Sequence, residues 1–299
     1  MAPSQLSGNG GDSRFEPGRA HHFSEWGSNY FYWFHHQIGV MAPTSFQEFV
    51  NEGVKIVKGA DERKITLRLM GALAVSHHCP KYRHLHEKMN RVPTDIDFAS
   101  VSKQKEKLTA FLKDLGYNVD QQLMSYPTYA EGKRYMYFGQ VHIDVFFDEL
   151  KMCHRIDWSK RLEVDTPTIP LADIVLEKLQ IVEINPKDIK DMIILFLEHD
   201  VGSTDNETIN GKYIAELLAK DWGFWYTSTM NLNKLLNLMN EYIQLPEDES
   251  RLVKDRVNKL LAMIENQSKT MGWKMRSRVG TKQKWYTEVE EDRGVLKIE

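Results

Sequence analysis

The stretch that most limits what this chain can fold into is Arg91-Val92-Pro93-Thr94-Asp95-Ile96-Asp97-Phe98, where a proline break is followed by alternating acidic and apolar residues. Proline fixes its own φ, lacks an N–H donor and disfavours helix in the residue before it, so this segment reads as extended. In a strand successive side chains point to opposite faces, which puts Asp95 and Asp97 on one side and turns Ile96 and Phe98 into a core. Two carboxylates held on one rigid edge suit a divalent cation, because Mg²⁺ takes hard oxygen ligands and commonly needs only one or two protein carboxylates beside phosphate oxygens. Taken alone, D-x-D is a weak signal, since short strands ending in acids are common.

Two further stretches strengthen it. Upstream, Ile65-Thr66-Leu67-Arg68-Leu69-Met70-Gly71-Ala72-Leu73-Ala74-Val75 reads as a regular segment feeding a small-residue turn at Gly71-Ala72 and then a helix start. Glycine permits a close backbone approach, and the free N–H groups of a helix N-terminus favour an anion. Downstream, Val141-His142-Ile143-Asp144-Val145-Phe146-Phe147 is a β-branched and aromatic run with one acid at its centre. If that strand pairs beside Asp95 to Asp97, Asp144 completes a three-carboxylate cluster.

With 299 residues, 41% hydrophobic and 27% charged, the chain has enough apolar material for one large domain or two moderate ones. A net charge of -3 argues against wholesale coating of nucleic acid while leaving room for local basic patches. The two cysteines, Cys79 and Cys153, are too few for a disulfide framework and fit a reducing compartment. No apolar run approaches the roughly 18 residues of a membrane span, and the N-terminus lacks an apolar signal region, so the expected location is cytoplasmic.

Residues 1–23 are rich in Gly, Ser, Pro and Asn and read as a disordered leader. The aromatic-dense segment that follows, with Trp26, Tyr30, Phe31, Tyr32, Trp33 and Phe34, reads as a piece that docks on the domain, with contact to a partner or a membrane surface as the alternative. Ser45 to Val57 reads as a helix with a Ser45/Glu48 capping box. Between Val75 and Arg91 the sequence predicts a polar loop holding His77, His78, Cys79, His84 and His86. It lacks the paired spacing of a zinc site and reads as a mobile loop offering Lys and Arg to phosphates. Ser102 to Leu115 is an amphipathic helix stopped by Gly116, and Tyr117 to Gln122, Lys133 to Gly139 and Val141 to Phe147 read as strands. Pro170 opens a helix carrying Leu171, Ile174, Val175 and Leu179, with Lys178 beside that stripe. Asn185-Pro186 breaks it, and Asp188 lies in the first turn of the next helix, where an acid also suits the macrodipole. Ile209 to Lys220, Asn231 to Ile243 and a helix from Pro246 to about Gln267 complete a helical region. Residues 269–299 read as a basic tail with interleaved aromatics, whose tryptophans pack on the helices or stack on nucleic-acid bases. The implied segments are a leader (1–23), a core (24–165), a helical domain (166–268) and the tail (269–299).

Together, Met70-Gly71-Ala72-Leu73-Ala74-Val75, Arg91-x-x-Thr94-Asp95-Ile96-Asp97 and Ile143-Asp144-Val145 resemble the minimal nucleotidyltransferase domain of the DNA polymerase β superfamily. Pro167-Thr168, Pro170-Leu171, Glu177-Lys178-Leu179 and Pro186-Lys187-Asp188-x-x-Asp191 are similar to the AbiEii-type nucleotidyltransferases, which include toxins of type IV toxin–antitoxin systems. The resemblance spans about residues 60–200. It implies an α/β (α+β) nucleotidyltransferase fold, a small mixed sheet flanked by helices and followed by a helical C-terminal region. It also implies Mg²⁺-dependent transfer of a nucleoside monophosphate from an NTP to an acceptor, with two ions. Asp95, Asp97 and Asp144 would hold the metals, with Asp144 binding the second ion or helping to deprotonate the acceptor. Gly71, Ala72, Arg91 and Thr94 would bind the nucleotide, with Lys178 meeting the triphosphate as a mobile point charge. Asp188 would orient Lys178 or the acceptor. The family's turn usually reads Gly-Gly or Gly-Ser, so Ala72 removes a hydroxyl while keeping the backbone N–H.

The implied acceptor is tRNA or another RNA, a protein or a small molecule, with an antitoxin as a further partner in the toxin-like reading. Two other functions use the same letters: a catalytically inactive nucleotide- or RNA-binding module, and transfer to an antibiotic. Fold does not decide among them.

Overall fold

The computed structural model describes residues 43–119 and 134–288. The leader, the aromatic segment before residue 43, part of the expected strand after Tyr117, and the last residues of the tail lie outside the described residues.

The first helix, α1 (Phe46–Glu62), starts as expected. Ser45 accepts from Glu48 N–H while the Glu48 carboxylate takes Ser45 N–H, closing the capping box. Next come β1 (Leu67–Leu69), α2 (Gly71–His78), α3 (His84–Lys88), β2 (Asp95–Ser100), α4 (Lys105–Asp114), β3 (Asn118–Val119), β4 (Arg134–Phe138) and β5 (His142–Phe147). Two short strands, β6 (Glu149–Lys151) and β7 (Arg155–Asp157), form a separate hairpin.

The main sheet has the order β1-β2-β5-β4-β3. β2 and β5 run parallel, with Ile96 opposite Ile143, Asp97 opposite Asp144 and Asp95 opposite His142, while β1, β4 and β3 are antiparallel to their neighbours. This mixed sheet with helices is the α/β class expected. Its two faces differ as period-two alternation requires. Ile96, Phe98, Ile143 and Val145 are fully buried on one face, covered by α4, whose Lys105 ammonium lies over the Tyr135 ring. On the opposite face stand Asp95, Asp97, His142 and Asp144, joined by Arg134, Met136 and Phe138 of β4.

The chain returns to this sheet near residue 168. Leu69 N–H donates to Pro167 O and Ile169 N–H to Leu69 O, both at 2.9 Å, so the segment lies along β1. It leads into α5 (Leu171–Leu179) and α6 (Pro186–Glu198), the latter capped by Asn185, which accepts from Asp188 N–H at 3.0 Å. A small parallel pair, β8 (Val201–Gly202) and β9 (Ile209–Asn210), precedes α7 (Gly211–Leu218), α8 (Trp222–Tyr242), α9 (Glu247–Asn266) and α10 (Met271–Val279). Asn231 of α8 donates to Leu179 O (3.0 Å) and Ile181 O (2.7 Å), which fixes the end of α5. Among the described residues no helix is long and apolar enough to cross a membrane.

Three sequence expectations are corrected. The stretch from Val75 to Arg91 is not an open loop: His77 and His78 end α2, and His84 and His86 lie on α3. Its polar groups are tied inward, with His78 Nε2 2.6 Å from Thr168 Oγ1, Arg83 donating to Ser76 O, and Lys81 and Tyr82 N–H groups donating to Glu198. Second, Ile209 and Asn210 are strand, and Asn210 caps α7 through Tyr213 N–H. Third, α8 begins at Trp222 and not at Asn231, because Asp221 caps it through Phe224 N–H at 3.0 Å. In the basic tail, Trp273 meets Trp225 edge-on and Trp285 meets Tyr226 edge-on. Trp285 Nε1 donates to Thr227 Oγ1 at 3.1 Å. Packing on the helices is the alternative the aromatics adopt.

Candidate active site

The sheet's polar face and the α5–α6 pair meet at Gly71. Its backbone has φ +66°, a left-handed conformation that side chains resist, and a Cβ there would sit 2.6 Å from Asp97 Oδ2. Met70 N–H donates to Asp97 O at 2.9 Å, so β1 delivers the turn directly beside β2. Gly71 N–H donates to Glu177 Oε2 at 3.0 Å, which joins the start of α2 to the last turn of α5. Sequence reading assigned Glu177 no role, although it stands next to Lys178 in the quoted motif.

On the sheet, one ligand atom each from Asp95, His142 and Asp144 lies within 4.8 Å of the others, the grouping among the described residues able to hold a metal ion. The histidine-rich stretch forms no such group among the described residues. Thr94 Oγ1 donates to Asp95 Oδ1 at 3.1 Å. Asp144 is 2% exposed, and its Oδ2 accepts from Arg134 Nη2 at 2.7 Å. Its Oδ1 faces His142 Nε2 at 3.4 Å, yet both atoms are buried without a hydrogen bond. Asp97 lies between this group and the Gly71 turn.

The two central acids are pushed in opposite directions. Burial raises the Asp97 carboxyl well above the usual range, and the negative charges of Asp95, Asp144 and Glu177 add to it. Burial also disfavours charge on Asp144, but His142 and Arg134 outweigh it and the carboxyl is lowered. A sheet face that gathers like charges and leaves a buried carboxylate oxygen unsatisfied is a set of donors completed by a cation.

The helical half is an ion-pair cluster. Lys178, buried, has its ammonium 3.1 Å from Asp188 Oδ1, 3.2 Å from Asp191 Oδ2 and 3.7 Å from Glu177 Oε1. Burial alone would favour its neutral form, but these three carboxylates together hold its pKa above the ordinary value. Lys178 is therefore not the mobile point charge expected from sequence: it is enclosed because the buried Asp188 and Asp191, with Glu177 beside them, need a cation. Lys178 donates to Asp188 Oδ1, and Asp188 Oδ2 is buried without a hydrogen bond.

Arg91, expected at the nucleotide, turns instead to Asp191, with Nε and Nη2 at 3.3 and 3.4 Å from the two carboxylate oxygens and Nη1 on Val92 O. His86, fully buried and stacked on Phe46 at 4.2 Å, adds Nε2 at 3.3 Å from Asp191 Oδ1. Burial opposes charge on Asp191, but Lys178, His86 and Arg91 overcome it and hold its carboxyl far below the usual range. The sequence signal for Asp191 was its place three residues after Asp188 on one helix face. The signal for His142 was its place two residues before Asp144 in the same strand.

No known protein family matches the sequence, and no curated protein matches it. Among solved structures, the chain is similar to the antibiotic-resistance factor ANT(2'')-Ia, determined in solution, at 15% identity and a TM-score of 0.36, over 57% of this chain and 93% of that one. It is similar to a crystal structure of ANT(2")-Ia in complex with adenylyl-2"-tobramycin at 16% identity and a TM-score of 0.32, covering 49% and 86%. An antigenic nucleotidyltransferase-like protein from Paracoccidioides brasiliensis gives 15% identity and a TM-score of 0.34, covering 59% and 90%. At these identities and scores the likeness carries no weight for activity, which rests on the geometry of the site.

Proposed function

We propose that this protein is a divalent-metal-dependent nucleotidyltransferase, moving a nucleoside monophosphate from an NTP to a hydroxyl-bearing acceptor. The observation that carries this reading is the juxtaposition of Asp95, Asp97, His142 and Asp144 on one sheet face with the positive-φ Gly71 turn that opens α2. A bound divalent ion supplies neutralisation of charge on the attacking and leaving oxygens of an in-line displacement. Asp95 and Asp144 would hold it, with Asp97 adjacent, and the unsatisfied Asp144 Oδ1 supports that fit. Mg²⁺ and a second ion belong to this proposal.

The chain's own groups then have defined tasks. With Gly71 N–H held by Glu177 Oε2, the following backbone N–H groups at the start of α2 would face the phosphates, Ala72 contributing only its backbone. The acceptor oxygen forms a bond to the α-phosphorus as the α–β bridging P–O bond breaks, pyrophosphate leaves with that electron pair, and the acceptor's proton passes to a carboxylate of this sheet face. Lys178, Asp188, Asp191 and Arg91 act together as a rigid support behind the turn, linked to it through Glu177. Direct contact of Arg91 or Lys178 with phosphate would require exchange of these carboxylate partners.

The acceptor, whether RNA, protein or small molecule, and the finer AbiEii-type, toxin-like reading with an antitoxin partner rest on sequence resemblance. The test is incubation with each α-labelled NTP, Mg²⁺ or Mn²⁺ and a cell extract containing all three acceptor classes. Label should appear with the wild type and be lost with Asp97→Ala. Equal labelling by both proteins, or none by either, overturns the proposal.

A further inference from the structure

On this sheet face His142 has been placed within reach of Asp95 and Asp144, but has been given no role toward the ion itself. It stands on β5 opposite Asp95 and two residues before Asp144, so the alternation that directs the acids outward directs its imidazole with them. Phe138, its partner on β4, stacks on it at 4.8 Å between centroids and 6° between planes, which fixes the ring orientation. Nε2 points at Asp144 Oδ1 across 3.4 Å without a hydrogen bond, and both atoms are buried. Arg134 already serves the other Asp144 oxygen. Two buried acceptor-capable atoms left facing each other in this way, with an Asp95 oxygen also within 4.8 Å, are completed by a shared cation better than by a proton on either one.

We propose that His142 is a ligand of the divalent ion on this sheet face, making a mixed nitrogen–oxygen seat that prefers a transition-metal ion such as Mn²⁺ over Mg²⁺. The chemistry follows from ligand type: Mg²⁺ takes an all-oxygen shell and gains little from imidazole, whereas first-row transition ions bind nitrogen donors well and rise in affinity along the series from Mn²⁺. Two carboxylates and one imidazole leave positions open for phosphate oxygens. The inference rests on the nucleotidyltransferase reading for its purpose, but its observable is metal coordination.

The experiment uses the full chain with Mn²⁺ as the probe and Mg²⁺ as competitor, read by electron paramagnetic resonance. Wild-type protein is expected to give bound Mn²⁺ whose echo envelope carries nitrogen modulation, displaced by Mg²⁺ only at about tenfold higher concentration or more. His142→Ala should lose the modulation and bind Mn²⁺ about 10- to 100-fold more weakly. His142→Asp, which restores an oxygen donor, should bind without modulation and compete nearly equally for both ions, and its circular dichroism controls for folding. Nitrogen modulation that persists in His142→Ala, or wild-type Mn²⁺ bound without it, overturns the inference. In the same samples, α-label transfer by a wild type lacking nitrogen modulation would sink only the ligand assignment. Modulated Mn²⁺ binding with no label transfer from any NTP would sink only the proposed activity.

Discussion

At Gly71 two demands coincide on one residue: a φ of +66° and a neighbour, Asp97 Oδ2, 2.6 Å from where a Cβ would stand. The Gly71→Ala variant must shift the turn or the carboxylate. A non-glycine residue forced into this region costs about 1–3 kcal/mol, so the variant should unfold at lower urea and lose metal-dependent nucleotide binding. Wild-type behaviour in both urea unfolding and calorimetric titration would contradict the close approach. His78 makes a second residue-scale test. Burial lowers its pKa from 6.5 to about 3, helped by the nearby His199 and His77, and Asp165 Oδ2 at 3.6 Å does not offset this. A folded-state pKa below the unfolded one means that the stability is complete above about pH 6.5 and is lost as pH falls toward 3. For this group the loss is about 2 kcal/mol by about pH 5, and urea unfolding of His78→Gln should show a correspondingly shallower pH dependence. An unchanged slope would mean that the imidazole does not carry it.

On the scale of elements, α5 and α6 hold the site's support through buried charge. Asp191→Ala leaves Lys178, Arg91 and His86 without their common partner, and breaking a buried pair in this way costs about 3–5 kcal/mol, measurable by urea unfolding. A loss below about 1 kcal/mol would mean that the cations find other partners. Much of this layer was legible beforehand. The Ser45/Glu48 capping box marks the start of α1, Asn185-Pro186 marks that of α6, and the alternation in β2 and β5 fixes which residues share the acidic face. What escaped were features that local pattern does not encode. The Trp222 to Ser228 run begins α8 through one Asp221 cap, and its aromatic residues obscure a helical stripe. The histidine-rich stretch near residue 80 looks like a polar loop because its partners, Thr168, Asp191, Glu198 and His199, lie far along the chain.

Across the whole molecule, the acids of β2 and β5, the Gly71 turn and the α5–α6 cluster come from separate segments spread along the chain from Gly71 to Asp191. Spacing identified most of the polar groups but not their pairings. Arg91 and Asp191, separated by 100 positions, are joined only once the chain returns along β1 and carries α5 and α6 over the sheet. For the same reason Lys178 could be named and yet its enclosure missed. The overall charge of -3 says nothing of this, since the site concentrates carboxylates of both halves around one turn. That concentration favours positive charge at the site, which a bound divalent ion would bring. The most direct test follows the two ends of one NTP in parallel, with label at the α-phosphorus in one reaction and at the γ-phosphorus in the other, using extract as the acceptor source. Transfer of nucleoside monophosphate predicts α-label in the acceptor and γ-label released as pyrophosphate, both abolished by Asp97→Ala. Transfer of γ-label to the acceptor, or release of γ-label as inorganic phosphate with no α-label transferred, would contradict it.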